Sequence, residues 1–377
     1  MAHCSTVLSQ IVRIFPRHEF LALAKKHHVG QKFRSFSRWS QFVALLTAQL
    51  TSRSSLRDVV DNLRVQSHKL YHLGVKTFSR ATLARCNEKQ PHTLYEELFK
   101  RLLARCQSMA PRNKKFKLNE KVYLLDASLV ELSLSLFPWA KYQKNKGAAK
   151  LHVGLDADGY LPAFVDLTEG KEHEINHARE LELSKGSYLV FDRGYTDYTW
   201  YQDLIEDGIF FVTRLKSNAI ITPGKKRRGR KSPGVLGDRE IRLGKLPETF
   251  RLVTYRDEET DIVYQFVTNA LEIPAQTVAD LYKERWQIEL FFKWIKTNLK
   301  VKSFLGTSKN AVKTQLWIAL CAYLVISFLK FKSRIGASLQ RMLRILQLNL
   351  FERRDLQELF APPRPKLPLC NKQLSLI

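Results

Sequence analysis

The chain has 377 residues, of which 45% are hydrophobic, 26% charged and 11% aromatic. This composition excludes a disordered or fibrous chain and suits one elaborated domain or two to three smaller ones. Its 62 Lys and Arg against 36 Asp and Glu give a formal net charge of +26, which excludes a cationic macromolecular partner and puts polyanions, nucleic acid first, ahead of other partners.

The charge is unevenly spread. Residues 1–121 carry 23 basic and 7 acidic side chains, residues 122–217 carry 10 and 15, and residues 218–377 carry 29 and 14. Two basic arms around an acidic middle suggest that the arms hold a polyanion while the middle gathers carboxylates for another purpose, such as metal binding. Cys4, Cys86, Cys106, Cys321 and Cys370 are odd in number and scattered, which disfavours a disulfide framework and a zinc ribbon. No signal-peptide pattern is visible. The most apolar stretch, residues 316–329, is bracketed by Lys313, Lys330 and Lys332 and is too short to span a bilayer, so it reads as a buried helix. A cytoplasmic, nucleoid-associated address with no membrane partner is the expectation.

In the first arm, residues 40–50, 54–63 and 92–110 have helical apolar spacing with Ser or Thr near their starts. Between them, residues 78–87 form a short candidate helix with Arg80 and Arg85 projecting, which suits entry into a DNA groove or a solvated bundle face. Pro111 stops the last helix, and a boundary near residue 115 is expected.

The middle changes period. Residues 121–126 form a short apolar run ending in Asp126, and residues 151–157 and 160–167 flank Asp158-Gly159, a hairpin signal. Then follow a helix at 174–183, an apolar strand at 188–192 ending in Asp192, a helix at 198–205 and a strand at 209–215. The order βββ-α-β-α-β matches a ribonuclease-H-like mixed sheet with helices on its faces. Lys225, Lys226, Arg227, Arg228, Arg230 and Lys231 lie between Pro223-Gly224 and Pro233-Gly234, reading as a flexible cationic loop and a candidate DNA-backbone contact. Three further strands make residues 217–275 a mostly β insertion. A long helix is expected from about Gln276, after Pro274, and apolar helices at 315–329 and 338–350 are candidate core or contact elements.

On the long helix, Tyr282, Arg285, Glu289 and Lys296 stand at offsets of 0, 3, 7 and 14, which at about 100° per residue fall in a sector roughly 60° wide. Ile288, Phe292, Ile295 and Leu299 form the adjacent apolar stripe. A carboxylate beside two cations and a phenol suits a phosphodiester, with Asp126 and Asp192 as partner acids. Acids crowded in this way need a divalent cation, and carboxylate oxygens favour Mg²⁺ or Mn²⁺. His173-Glu174-Ile175-Asn176-His177 spells H-E-x-x-H, but the neighbouring loop is polar, which argues against zinc there.

The run Tyr-x-x-Arg-x-x-x-Glu-x-x-x-x-x-x-Lys from Tyr282 to Lys296, with Arg-Trp-x-Ile-Glu inside it, resembles the signature of the insertion-sequence-four family of bacterial DDE transposases. Asp192-Arg193-Gly194-Tyr195 and Leu125-Asp126-Ala127-Ser128 resemble the blocks around that family's first two acids. The resemblance implies a helical N-terminal DNA-binding domain at 1–115, a ribonuclease-H-like core at 116–216, a β insertion at 217–275, the helix of the third carboxylate at 276–306 and a helical C-terminal region at 307–377. It implies that Asp126, Asp192 and Glu289 hold two Mg²⁺ or Mn²⁺ ions, and that Tyr282, Arg285 and Lys296 hold phosphates. The implied reaction is cut-and-paste transposition at terminal inverted repeats of double-stranded DNA, by a homodimer. An inactive repressor and a plain nuclease of the same fold are the alternatives. Relatives that open a DNA hairpin stack a flipped base on a tryptophan of the insertion; residues 217–275 have none, leaving Tyr255, Tyr264 and Phe266 as substitutes.

Overall fold

Ser and Thr hydroxyls start most helices of the first arm by accepting backbone N–H bonds that no preceding turn can satisfy. The computed structural model describes residues 5–30, 36–112, 115–116, 118–143, 146–227, 232–299 and 304–361. The arm comprises α1 (Val7–Val12), α2 (Arg17–Lys26), α3 (Arg38–Leu50), α4 (Leu56–Val65), α5 (Ser67–Leu70), α6 (Arg80–Lys89) and α7 (Thr93–Gln107). Thr6, Ser37, Ser55 and Ser79 cap α1, α3, α4 and α6. Every residue of α3 is buried, including Arg38, whose guanidinium donates to Gln90 Oε1 and the Pro91 carbonyl at 3.0 and 2.8 Å.

The middle and β-rich regions form one ten-stranded sheet. Its strands are β1 (Val122–Leu132), β2 (Lys141–Gln143), β3 (Lys146–Asp156), β4 (Leu161–Glu169), β5 (Tyr188–Phe191), β6 (Phe210–Arg214), β7 (Ile221–Lys226), β8 (Val235–Leu243), β9 (Phe250–Arg256) and β10 (Val263–Thr268). The order is β2-β3-β1-β5-β6-β10-β9-β8-β7, with β4 also paired to β3. β1 runs antiparallel to β3 and parallel to β5, and β5 parallel to β6, the mixed arrangement expected of a ribonuclease-H-like core. Strands of the 217–275 region continue the sheet, since β10 pairs with β6 through Phe266 and Arg214. The short helices α8 (Glu174–Ala178) and α9 (Tyr198–Glu206) cover one face.

On the other side stand α10 (Ala275–Glu284), α11 (Trp286–Asn298), α12 (Lys309–Lys332), α13 (Leu339–Asn349) and α14 (Leu356–Phe360). Alternation along β1 divides the core: Leu124 joins Val153 and Val190 in the cluster shared with the helical arms, while Leu125 joins Leu189, Phe191, Trp200 and Tyr201 in the cluster under α9.

Four expectations need correction. The strand ending at Asp126 instead runs on to Leu132, because β3 pairs with it as far as Leu132 opposite Gly147. The helix at 174–183 stops at Ala178, since the two-residue spacing of Leu181 and Leu183 suits extended chain laid on the core. Residues 223–226 are not loop but the end of β7, an edge strand that tolerates Pro223 because its N–H side needs no partner. The apolar helix around 316–329 is longer than expected: α12 has 24 residues, enough by length and composition to cross a bilayer, yet 89% of that window is buried within the chain. Apolar all round, it is the core helix against which α3, α7 and α13 pack.

Candidate active site

Parallel pairing of β1 and β5 ends at Leu125 beside Phe191, so the next residue of each chain, Asp126 and Asp192, leaves that register side by side on neighbouring strands roughly 5 Å apart. β5 stops there and β1 continues, which opens a notch in the sheet at the two carboxylates. Asp126 is 20% exposed. Burial pushes its carboxyl up to about 6, against the lowering effects of the Ala127 N–H, which donates to Oδ1 at 2.8 Å, and of Arg285.

The third acid arrives from the helices opposite. The expected long helix is broken at Arg285, where the Ile288 N–H donates to the Arg285 carbonyl at 3.1 Å in a tightened turn between α10 and α11. The break does not scatter the predicted stripe. Tyr282 donates its hydroxyl to Asp192 Oδ1 at 3.0 Å. Arg285 Nη1 reaches Asp126 Oδ2 at 3.2 Å and Nη2 reaches Glu289 Oε1 at 2.8 Å, so a single planar guanidinium spans two of the acids. Lys296 Nζ donates to Ser128 Oγ at 2.6 Å. Ile288, Phe292, Ile295 and Leu299 are at most 5% exposed and seat α11 as expected. Arg285 also lies 5.6 Å above the Tyr282 ring, which packs on Phe266 with centroids 4.8 Å apart.

Tyr282, Arg285, Glu289 and Lys296 therefore meet Asp126 and Asp192 at one place. Among the described residues no three His, Cys, Asp or Glu side chains converge as metal ligands do; Arg285 instead lies between Asp126 and Glu289. The donor set still fits a hard divalent ion: three carboxylates, one buried enough to raise its pKa, with no sulfur or imidazole among them. His177 does not belong to it, since its ring nitrogens lie 2.8 Å from Asp166 and Glu172. Ser128, named above only as part of the block around Asp126, joins the site as a partner of Lys296 because it stands two residues after Asp126 on the same strand face.

The remaining candidates lie elsewhere. Arg80 and Arg85 are exposed on α6, whose Leu83, Cys86 and Asn87 face inward. Lys225 and Lys226 are exposed on β7, whereas Arg227 turns inward to Glu240 at 3.4 Å and to the Leu271 carbonyl at 2.7 Å. Arg228 and Arg230 lie outside the described residues. Phe266 is a core residue, 2% exposed, and Tyr264 stacks on it, with the Arg214 guanidinium 5.0 Å from the centre of the Tyr264 ring. Cys86, Cys106 and Cys321 are buried free thiols.

A family model described as "Transposase DDE domain" matches residues 117–325, and one described as "Domain of unknown function (DUF4372)" matches residues 3–76. The chain is 33% identical over 290 residues to "Putative transposase y4zB" of Sinorhizobium fredii, covering 74% of this chain and 80% of that protein. It is 29% identical over 262 residues to "Probable transposase for insertion sequence element IS5377" of Geobacillus stearothermophilus, covering 68% of each. It is 23% identical over 315 residues to "Putative transposase for insertion sequence element IS4SA" of Synechocystis, covering 80% and 84%. With more than half of its length matched by the first model, and that match running through both aspartates and the α10–α11 stripe, the chain belongs to the DDE transposase family.

Proposed function

We propose that the chain is a cut-and-paste insertion-sequence transposase of the insertion-sequence-four, Y-R-E-K type, which cleaves double-stranded DNA at terminal inverted repeats and joins the ends to target DNA. The observation that carries this reading is the joining of Asp126 and Glu289 through one guanidinium, with Asp192 beside them under the Tyr282 hydroxyl. Two Mg²⁺ or Mn²⁺ ions, held by Asp126, Asp192 and Glu289, would supply an activated oxygen nucleophile and stabilisation of the leaving 3′-oxygen.

The chain's own side chains do the rest. Arg285 and Lys296 bring fixed positive charge to phosphate oxygens, and Tyr282 offers a hydroxyl to a neighbouring phosphate while orienting Asp192. Lys296 donates to the neutral hydroxyl of Ser128, a weaker acceptor than a phosphate oxygen. Arg80 and Arg85 on α6 and Lys225, Lys226, Arg228 and Arg230 are proposed backbone contacts, and capture of two ends together calls for a homodimer. The test is excision from a donor plasmid carrying the matching inverted repeats. Asp126→Asn, Asp192→Asn and Glu289→Gln should each abolish excision and Mn²⁺-dependent cleavage of repeat DNA with unchanged circular dichroism. Excision at the unsubstituted level by all three would overturn the assignment.

A further inference from the structure

A fourth carboxylate approaches the site from the opposite face of the sheet. Glu174, the first residue of α8, has Oε2 3.8 Å from the point where a Cβ would stand on Gly194, two residues past Asp192. Gly194 offers no side chain to separate the two. The other oxygen of Glu174 meets Lys150 Nζ at 3.4 Å, and that ammonium is also held by the Glu172 carbonyl at 2.9 Å. Lys150 pairs across the sheet with Leu129, three residues beyond Asp126. Glu174 is thus clamped where the turn after β5 passes the notch, and its negative charge contributes to the raised pKa of Asp126.

A second observation concerns Tyr195, which follows Gly194. It is 2% exposed, and its hydroxyl has no hydrogen-bond partner. The acids that act on this hydroxyl are Glu174, Asp126 and Asp192, with Glu174 the strongest of the three. A buried hydroxyl left unpaired costs about 1–3 kcal/mol, and although other buried side chains such as Ser187 and Thr213 also have unpaired polar atoms, the Tyr195 hydroxyl is the one beside these carboxylates, where an acceptor met in another state of the site would satisfy it. All three carboxylates around it belong to, or adjoin, the proposed ion site.

We propose that Glu174 is a fourth carboxylate of the divalent-ion site and that the Tyr195 hydroxyl is its positioning donor. The inference rests on the transposase reading and adds a group that the three-acid signature does not contain. Lys150 neutralises Glu174 as Arg285 neutralises Asp126 and Glu289, so these three acids are matched by cations of the chain that an incoming ion can replace, while Asp192 is met by the Tyr282 hydroxyl.

The experiment measures Mn²⁺ binding to the full-length protein by electron paramagnetic resonance, with melting temperature recorded alongside. Glu174→Gln, nearly isosteric at a partly exposed position, is expected to weaken Mn²⁺ binding at least about tenfold, the scale on which supporting groups act at metal sites. Tyr195→Phe should weaken binding by a similar factor while leaving the melting temperature of the ion-free protein equal or higher, because it deletes an unpaired hydroxyl; a purely structural tyrosine would lower the melting temperature and leave the affinity alone. Glu258→Gln, at an exposed position of the β9–β10 turn, should change neither. Unaltered Mn²⁺ affinity in Glu174→Gln, while Asp126→Asn loses binding, would overturn the inference and leave the transposase reading intact. Unaltered affinity in Asp126→Asn would overturn the transposase reading itself. Should Tyr195→Phe fold poorly, Glu174→Gln decides alone.

Discussion

Arg285 shows how one side chain can decide a site's electrostatics. A lysine at that position could contact one acid at a time, whereas the guanidinium reaches Asp126 and Glu289 together. Arg285→Lys should therefore impair cleavage strongly, by at least about tenfold in kcat/KM if one charge-assisted hydrogen bond worth 1.5–3 kcal/mol is lost, as read in a repeat-cleavage assay. A different residue adds to the acid sensitivity of the fold. Glu97 on α7 receives bonds from His27 and Lys26 at 2.8 and 2.9 Å, tying α2 to α7, and these hold its carboxyl down at about 2 from 4.5. Because the folded value lies below the unfolded one, this contribution is complete above about pH 4.5 and fades as pH falls towards 2. Denaturant titrations should show Glu97→Gln less stable than the unsubstituted chain at pH 7, with the gap closing near pH 2–3.

At the scale of elements, the junction of α10 and α11 is held from outside the helices. Glu284, the residue before Arg285, is 2% exposed and accepts bonds from Tyr160 on the β3–β4 turn and from Lys115. Tyr323 of α12 donates in turn to the Tyr160 carbonyl at 2.9 Å. The turn that aims Arg285 at Asp126 is thus anchored by the hairpin and the core helix. Tyr160→Phe should cost about 1.5–3 kcal/mol in urea unfolding, the worth of a hydrogen bond to a buried charge, with a further loss of cleavage as Arg285 drifts. Local signals foretold the stripe but not the break within it, since the break depends on partners more than a hundred residues away in the chain.

At the scale of the whole molecule, α12 couples both basic arms to the catalytic sheet. Its faces meet α3, α6 and α7 of the first arm and α11 and α13 beyond the sheet, and Val312, Ile318, Leu324 and Ile326 are fully buried. Ile318→Ala should cost about 2–5 kcal/mol, and hydrogen exchange should report the loss in α7 as well as in α11, because both pack against α12. The same arms carry the excess positive charge. Binding to repeat DNA should weaken linearly with the logarithm of salt concentration, and Arg80→Ala and Arg85→Ala should each reduce that slope by about one if each meets a phosphate.

Much of this was legible in the residues taken alone. Strands β1, β3, β4, β5 and β6 follow from apolar runs, Asp158-Gly159 and period changes, because hairpins and single strands are governed by nearest neighbours, whereas the three-residue β2 carries no such run. The acids Asp126, Asp192 and Glu289 are placed by short runs with distinctive side chains, and the helix stripe by geometry that any α-helix obeys. What local pattern left open depended on contacts across the chain. Asp126 lies inside a strand because β3 keeps pairing after β5 has stopped. The cationic run begins in an edge strand, since β8 supplies a partner there. Arg227 faces inward because Glu240 and Leu271 meet it. Glu174 and Tyr195 come near the site only when α8 folds over the turn after β5, a meeting of distant segments that no local spacing encodes.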